Sequence, residues 1–407
     1  MKIKVQMLGF FKKAGLLPQI YIFLYLLIMF SGSTVIRGQV SNLIVLLVAC
    51  LVVMTLSDRF GHLAVYNWKD KIPFVLIIIY VIFLFWQMLY IAYEPTIVWT
   101  YVKRYAVVSL LLIFLPKIDL AVCAVKFSKY YAFLVACSII ICTAIAGSKS
   151  GGLVGDYQAA GMMMSISCIL FMIDYFNDKD EKKNLVGILL SVSGLFISGK
   201  RMFSLIAIFA FVLIYLLSER ENRKVRFWGA LILLIIGAAI LYAAMPSARE
   251  LFLRITELSG NETNMTSGRN VLWEKAIEIF NEHKLYGIGF GGFQTYYENH
   301  YNIPGIQAFL THNIYYGLLS ETGIIGFGIY MSLIVYMLYK SFRLRKKVRS
   351  INKYNVTYIY TYSILMQLWF ILYGFTGNGI YDANETFFYF SAVAMMLSIN
   401  QYCSKYK

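Results

Sequence analysis

The sequence predicts an all-α protein embedded in a membrane and crossing it about twelve times, and three observations carry that prediction. Hydrophobic residues make up 59% of the 407-residue chain and charged residues only 14%, far from the balance of a soluble domain. Apolar runs close to the ~20 residues that span ~30 Å of hydrocarbon recur along the whole length. Basic residues gather in alternate connections between those runs, which is the pattern that orients multi-spanning proteins.

The runs cover 16–36, 40–56, 72–92, 98–115, 130–146, 158–176, 185–198, 202–217, 227–244, 313–339, 354–375 and 386–399. The seventh is short for a crossing. The first follows Lys2, Lys4, Lys12 and Lys13 but is longer than the apolar region of a signal peptide and lacks a small-residue cleavage site, so it is expected to remain as the first helix. With that basic segment cytoplasmic, the inner connections carry Arg59, Lys69 and Lys71; Lys117, Lys126 and Lys129; Lys179, Lys182 and Lys183; Arg220, Arg223, Lys224 and Arg226; and the basic run 340–353. Orientation alone therefore accounts for the net charge of +16, and no nucleic-acid partner is expected. Both termini are expected in the cytoplasm.

All six cysteines fall in spans or on the cytoplasmic side, without CxxC spacing or a Cys/His cluster, so neither a disulfide nor a metal site is expected. The chain reads as one polytopic domain, 1–407, with a large extracytoplasmic loop, 246–311, inserted before the tenth span. Long loops are functional or disordered. This one looks ordered, because Leu272, Trp273, Ala276, Ile277 and Phe280 share one helical face opposite Glu274, Lys275, Glu278 and Asn281. Such a helix suits the membrane surface.

Several residues have chemical potential. Gly287, Gly289 and Gly292 fit the letters GxGxxG, but an amphipathic helix precedes them and no βαβ unit surrounds them, so a dinucleotide fingerprint is rejected. Two readings stay open for this segment: a tight turn back to the membrane, or backbone amides near a phosphate. Lys200 and Arg201 sit in a very short outer hairpin, where the orientation rule disfavours cations. They snorkel to headgroups, or Arg201 faces an outward cavity and holds a phosphate. Arg269 opens the amphipathic helix as an interfacial arginine or a second phosphate ligand. His312 lies where the loop re-enters the membrane, followed by Asn313; it is a structural histidine at a helix start or a base for a sugar hydroxyl. Glu321, on the same span, is expected to support neighbouring helices rather than to react.

The ordered set Ser198-Gly199-Lys200-Arg201, Ser267-Gly268-Arg269 with Trp273, Gly287-Ile288-Gly289, and His312-Asn313 followed by Glu321-Thr322-Gly323-Ile324-Ile325-Gly326 resembles the O-antigen ligase and polymerase family of bacterial envelope proteins, over about residues 190–340. The resemblance implies a GT-C-like membrane fold and metal-independent transfer of a glycan from undecaprenyl pyrophosphate, with no cofactor, at the outer face of the cytoplasmic membrane. It implies that Arg201 and Arg269 hold the donor's pyrophosphate and that His312 activates the acceptor hydroxyl. Lys200 stands where relatives often carry a small polar residue, which leaves open which cation meets the phosphate. The expected activity is polymerisation of lipid-linked repeat units for capsule, exopolysaccharide or O-antigen, with a flippase and a chain-length regulator as partners. The alternative is a ligase that moves finished glycan to a lipid or protein acceptor. A lipid-linked oligosaccharide flippase fits less well, because charge is scarce within the spans. A scaffold would leave Arg201, Arg269 and His312 without a shared purpose.

Overall fold

An apolar segment in lipid folds as a helix because a helix satisfies every backbone N–H and C=O within itself. The computed structural model follows that rule: all regular elements among the described residues are helical. It describes residues 70–404 together with 20, 21 and 23, apart from 114, 147–150, 155–156, 178–180, 219–220, 245–248, 250–268, 302 and 304–309. Predicted span 40–56 lies wholly outside the described residues and 16–36 almost wholly. So do both chain ends and most of the first half of the large loop.

In chain order the helices are α1 (Ile72–Tyr90), α2 (Pro95–Ile113), α3 (Ile118–Ala146), α4 (Tyr157–Asn177), α5 (Glu181–Ser198), α6 (Arg201–Leu217), α7 (Arg223–Ala244), α8 (Arg269–Glu282), α9 (Phe293–His300), α10 (Ile314–Ile351), α11 (Tyr354–Tyr373) and α12 (Ala383–Ser404). Every predicted span from residue 72 onward coincides with one of them. Helices α1, α3, α4, α10 and α11 are long and apolar enough to cross a membrane, and α6 is apolar but shorter.

Two boundaries differ from the sequence reading. Helix α3 begins at Ile118, so Lys126 and Lys129 are helical rather than in a loop. Helix α10 runs to Ile351 and takes most of the basic run with it. Lys and Arg are good helix formers, and nothing breaks the run before Asn352, which ends it in the left-handed conformation (φ 47°). The amphipathic helix exists as α8, but its buried face is Leu272, Ala276 and Ile279. Ile277, on the apolar face read from the sequence, is 42% exposed. The face is rotated because Ile279 packs with Ile288, Phe293, Tyr296 and Tyr297 in a small core built from the loop itself.

Helix α4 occupies the centre of the bundle, with 94% of its apolar stretch buried against 33% for α1 and α3. Close approach makes that possible: a Cβ at Gly187 or Gly194 of α5 would lie 2.3 Å from the Phe171 ring or 2.4 Å from Met164 sulfur of α4. The end of the bundle that carries most of the basic residues is cross-linked by polar groups. Lys129 meets Asp174 at 2.5 Å and Asn184 at 2.9 Å, and Tyr354 donates to the other Asp174 oxygen at 2.9 Å. Asp70 at the start of α1 accepts from Tyr336 and Lys340 of α10.

At the opposite end, α10 is broken at Gly323 (φ 60°, ψ −171°). The N–H groups freed by that break are taken up by the segment after α8: Ile324 donates to the Lys284 carbonyl at 2.8 Å and Ile325 to that of Leu285 at 3.3 Å. The backbones approach so closely that a Cβ on Gly323 would lie 2.4 Å from the Leu285 carbonyl, and one on Gly287 would lie 2.2 Å from that of Glu321. Gly323→Ala, strained in φ and in space, should lower stability by about 2–4 kcal/mol. Gly328→Ala, with nothing within 4 Å of its Cβ, should change it by less than about 1 kcal/mol. Thermal melting of the two full-length variants in detergent checks the contrast; equal midpoints would refute the joint described here.

Candidate functional site

Residues 287–293 turn sharply between α8 and α9, and positive φ at Gly287 (68°) and Gly289 (106°) is what lets them do so. All seven N–H groups of this turn find acceptors within the protein. Gly287 donates to His283, Ile288 to Ser320 and Gly289 to Glu321 main-chain oxygens, and Gly292 to that of Gly289. Phe290 donates to Gln87 Oε1 at 3.2 Å, while Gly291 and Phe293 donate to the Glu321 carboxylate at 2.8 and 3.1 Å. No amide of the turn is left to face a phosphate, so Gly287 and Gly289 serve the close packing of the turn on α10. Glu321, fully buried, also accepts from the Tyr381 hydroxyl at 2.8 Å. Its main-chain oxygen accepts from Gln87 Nε2 at 2.6 Å. The carboxylate thus ties α10 to the glycine turn and to the start of α12, a structural bond with both oxygens engaged.

The cations lie at the same end of the bundle. Gly199, in the left-handed region (φ 66°), closes the hairpin between α5 and α6, so that Lys200 is the residue before α6 and Arg201 its first residue. Two residues on, Phe203 stacks on Tyr373 and Trp369 of α11, with centroids 5.1 and 5.7 Å apart, which fixes α6 against the end of α11. Arg269 is the first residue of α8 and donates from Nη1 to the Thr376 carbonyl at 2.9 Å, in the turn after α11. Burial holds the Arg269 guanidinium below its ordinary pKa; the positive charge of Arg201 acts in the same direction and Tyr373 opposes it. Arg201 and Arg269, 68 positions apart in sequence, therefore share one electrostatic neighbourhood.

His312 joins them. It is half-buried and holds a left-handed backbone (φ 51°), uncommon for a residue with a side chain and found where surrounding contacts impose it. Those contacts are visible on both sides. The Trp273 indole N–H donates to the Thr311 carbonyl at 2.9 Å, and the Thr311 hydroxyl donates to the Asn313 carbonyl at 2.8 Å. Asn313 caps α10, its Oδ1 accepting from the N–H groups of Tyr315 and Tyr316, while its Nδ2 donates to the Phe375 carbonyl at 3.2 Å. Burial, then the charges of Arg269 and Lys200, pull the imidazole down from ~6.5 to about 4. At neutral pH the ring is uncharged, with one of its two nitrogens unprotonated.

The structure thus brings Lys200, Arg201, Arg269 and His312 into one electrostatic neighbourhood, while Gly287, Gly289 and Glu321 form the joint between the glycine turn and α10. Cavities of about 330 and 600 Å³ lie at the opposite, basic end, lined among others by Arg345, Arg349 and Lys353, and contain none of these residues.

Residues 186–331 match the family model described as O-Antigen ligase. The family resemblance read from the motifs is borne out over that segment, a little more than a third of the chain. The O-antigen ligase match includes all eight residues singled out from the sequence: Lys200, Arg201, Arg269, Gly287, Gly289, His312, Asn313 and Glu321. No curated protein matches the chain.

The matched segment does not contain the whole site. The turn 374–382 between α11 and α12 accepts from Ile314 N–H, Asn313 and Arg269 through the carbonyls of Gly374, Phe375 and Thr376, and Asn378 meets the His312 ring. Sequence reading missed this turn, although Gly374, Gly377 and Gly379 form a second glycine-dense segment on the loop's side of the membrane. Replacing Glu321 with Leu should leave the Gly291 and Phe293 N–H groups and the Tyr381 hydroxyl unpaired, at about 1–3 kcal/mol each. Hydrogen exchange of amides 287–293 should then rise well above that of α8; unchanged protection would show that the carboxylate does not hold the turn.

Proposed function

We propose that this protein is a glycosyltransferase that lengthens a surface polysaccharide, transferring glycan from undecaprenyl pyrophosphate to a sugar hydroxyl of another lipid-linked repeat unit. One observation carries the reading: a neutral imidazole held beside a cluster of fixed cations in the segment that matches the O-antigen ligases. The positive-inside pattern supports placing that cluster at the outer face of the cytoplasmic membrane.

In this reaction His312 takes the proton of the acceptor hydroxyl as its oxygen bonds to the donor's anomeric carbon. The carbon–oxygen bond to pyrophosphate breaks, and undecaprenyl pyrophosphate leaves with the negative charge that Arg201, Arg269 and Lys200 stabilise. Cations fixed in a partly dry site stabilise developing charge better than water does, because they need no reorganisation. The bond broken is already activated, so the transfer needs neither nucleotide nor metal. A ligase passing finished glycan to another acceptor would use the same groups, since the acceptor alone differs. The match to the family model described as O-Antigen ligase favours that second reading, and the polymer's fate in cells decides between them. Cells lacking the protein should accumulate single repeat units on undecaprenyl pyrophosphate; long lipid-linked chains would instead make it the ligase.

His312→Ala should remove transfer by about 10²- to 10⁴-fold with protein level unchanged. Arg201→Ala and Arg269→Ala should each raise the donor KM or lower kcat by about 10- to 100-fold, the loss expected for a charged hydrogen bond; wild-type kinetics in either would end that residue's phosphate role. Lys200→Ala should cost less if Arg201 is the cation that meets the phosphate.

The pH dependence follows from the same charges. The base must be unprotonated, and before donor binds it gains its proton only as pH falls through about 4. kcat/KM should therefore hold down to that region. Bound pyrophosphate offsets Arg269 and Lys200 and moves the ring back toward ~6.5, so kcat should fall at a higher pH than kcat/KM. Acid limbs that coincide would remove the electrostatic coupling between donor and base.

A further inference from the structure

Asn378 stands in the turn between α11 and α12, outside the matched segment and without a part in the steps above. It is 8% exposed, and its amide Nδ2 lies 3.1 Å from Nδ1 of His312. Its Oδ1 is buried with no hydrogen-bond partner among the described residues. The backbone beneath is fixed: the Asn378 carbonyl accepts from the N–H groups of Tyr381 and Asp382 at 2.8 and 3.3 Å. Arg104 and Tyr105 of α2 donate to the next carbonyls along, those of Tyr381 and Ile380. What the amide is free to do is rotate about its own axis.

A neutral imidazole carries one N–H, and the partner of one ring nitrogen decides which nitrogen holds it. With Nδ2 toward the ring, Nδ1 accepts, Nε2 holds the proton, and the ring has no lone pair to offer a hydroxyl. A half-turn of the amide places Oδ1 against Nδ1–H, moves Nδ2 to where Oδ1 stood, and leaves Nε2 as the acceptor. We propose that Asn378 is the positioning residue that selects this second tautomer of His312, so that Nε2 faces the acceptor hydroxyl as a base. The inference rests on His312 being that base.

An amide suits the place where a carboxylate would not. The charges acting on the ring are Arg269 on α8 and Lys200 in the α5–α6 turn, while Asp382 and Glu385 act on Tyr373. A carboxylate at 378 would hold a proton on the ring beside them; the amide orients the ring and leaves it neutral.

The test is imidazole nitrogen NMR on the full chain in lipid nanodiscs. The chain has only four histidines, so the signals lost in His312→Gln assign the ring. At neutral pH the wild type should show the Nδ1–H tautomer. Asn378→Asp should keep that tautomer and raise the ring's titration midpoint by at least about one pH unit. Asn378→Leu should populate the Nε2–H tautomer and lower kcat about tenfold or more, with donor KM within about twofold. An Nε2–H tautomer in the wild type, an Asp variant with an unshifted midpoint, or a Leu variant that keeps Nδ1–H would each overturn the proposal. Full transfer by His312→Gln would instead remove the base from the reaction, and the tautomer result would stand apart from that failure.

Discussion

A carboxylate sealed inside a protein needs donors for both of its oxygens, and the way Glu321 obtains them determines how the site end of this protein is built. Its side chain binds the glycine turn and Tyr381, and its main-chain oxygen binds Gly289 and Gln87. Four helices, α1, α9, α10 and α12, are thereby referenced to one residue. The break at Gly323 belongs to the same arrangement, because an unbroken helix would hold the Ile324 and Ile325 N–H groups that the segment after α8 instead receives. The large loop is thus joined to the bundle by main-chain bonds as well as by apolar contact, and α8 keeps a fixed place above it.

That fixed place is what gives the cations their meaning. Arg269 at the head of α8, Arg201 at the head of α6 and Lys200 beside it are like charges at one end of the bundle, and the charge of Arg201 lowers the pKa of Arg269. The fold holds them together through Phe203 stacked on α11 and Arg269 bonded to Thr376. Like charges held close raise the local positive potential. Burial and the same field together hold the His312 imidazole below its ordinary pKa.

Much of this was readable from the residues. Apolar runs gave the helices from 72 onward, and the order of Lys200, Arg201, Arg269 and His312 along the chain picked out groups that the fold gathers. The glycine segment 287–292 remained ambiguous because a sequence shows which amides exist but not what they bond; only the Glu321 and Gln87 contacts decide it. Ile279, outside the apolar face read from the sequence, is buried because its partners Phe293, Tyr296 and Tyr297 belong to α9. Asn378 escaped notice for a similar reason: its neighbour in space lies 66 positions away, and nothing local in Gly377-Asn378-Gly379 distinguishes a site turn from an ordinary connection.

The uninterrupted part of α10, from Ile324 to Ile351, rises by about 42 Å at ~1.5 Å per residue, more than the ~30 Å of hydrocarbon it has to cross. Its far turns stand clear of the lipid tails and carry Lys340, Arg343, Arg345, Lys346, Lys347 and Arg349 at the height of the phosphate layer and beyond. Such a rod behaves like a gauge set against one leaflet. The level at which its basic turns come to rest also sets the depth of the Gly323 joint, and with it the height of the glycine turn and α8 relative to the bilayer.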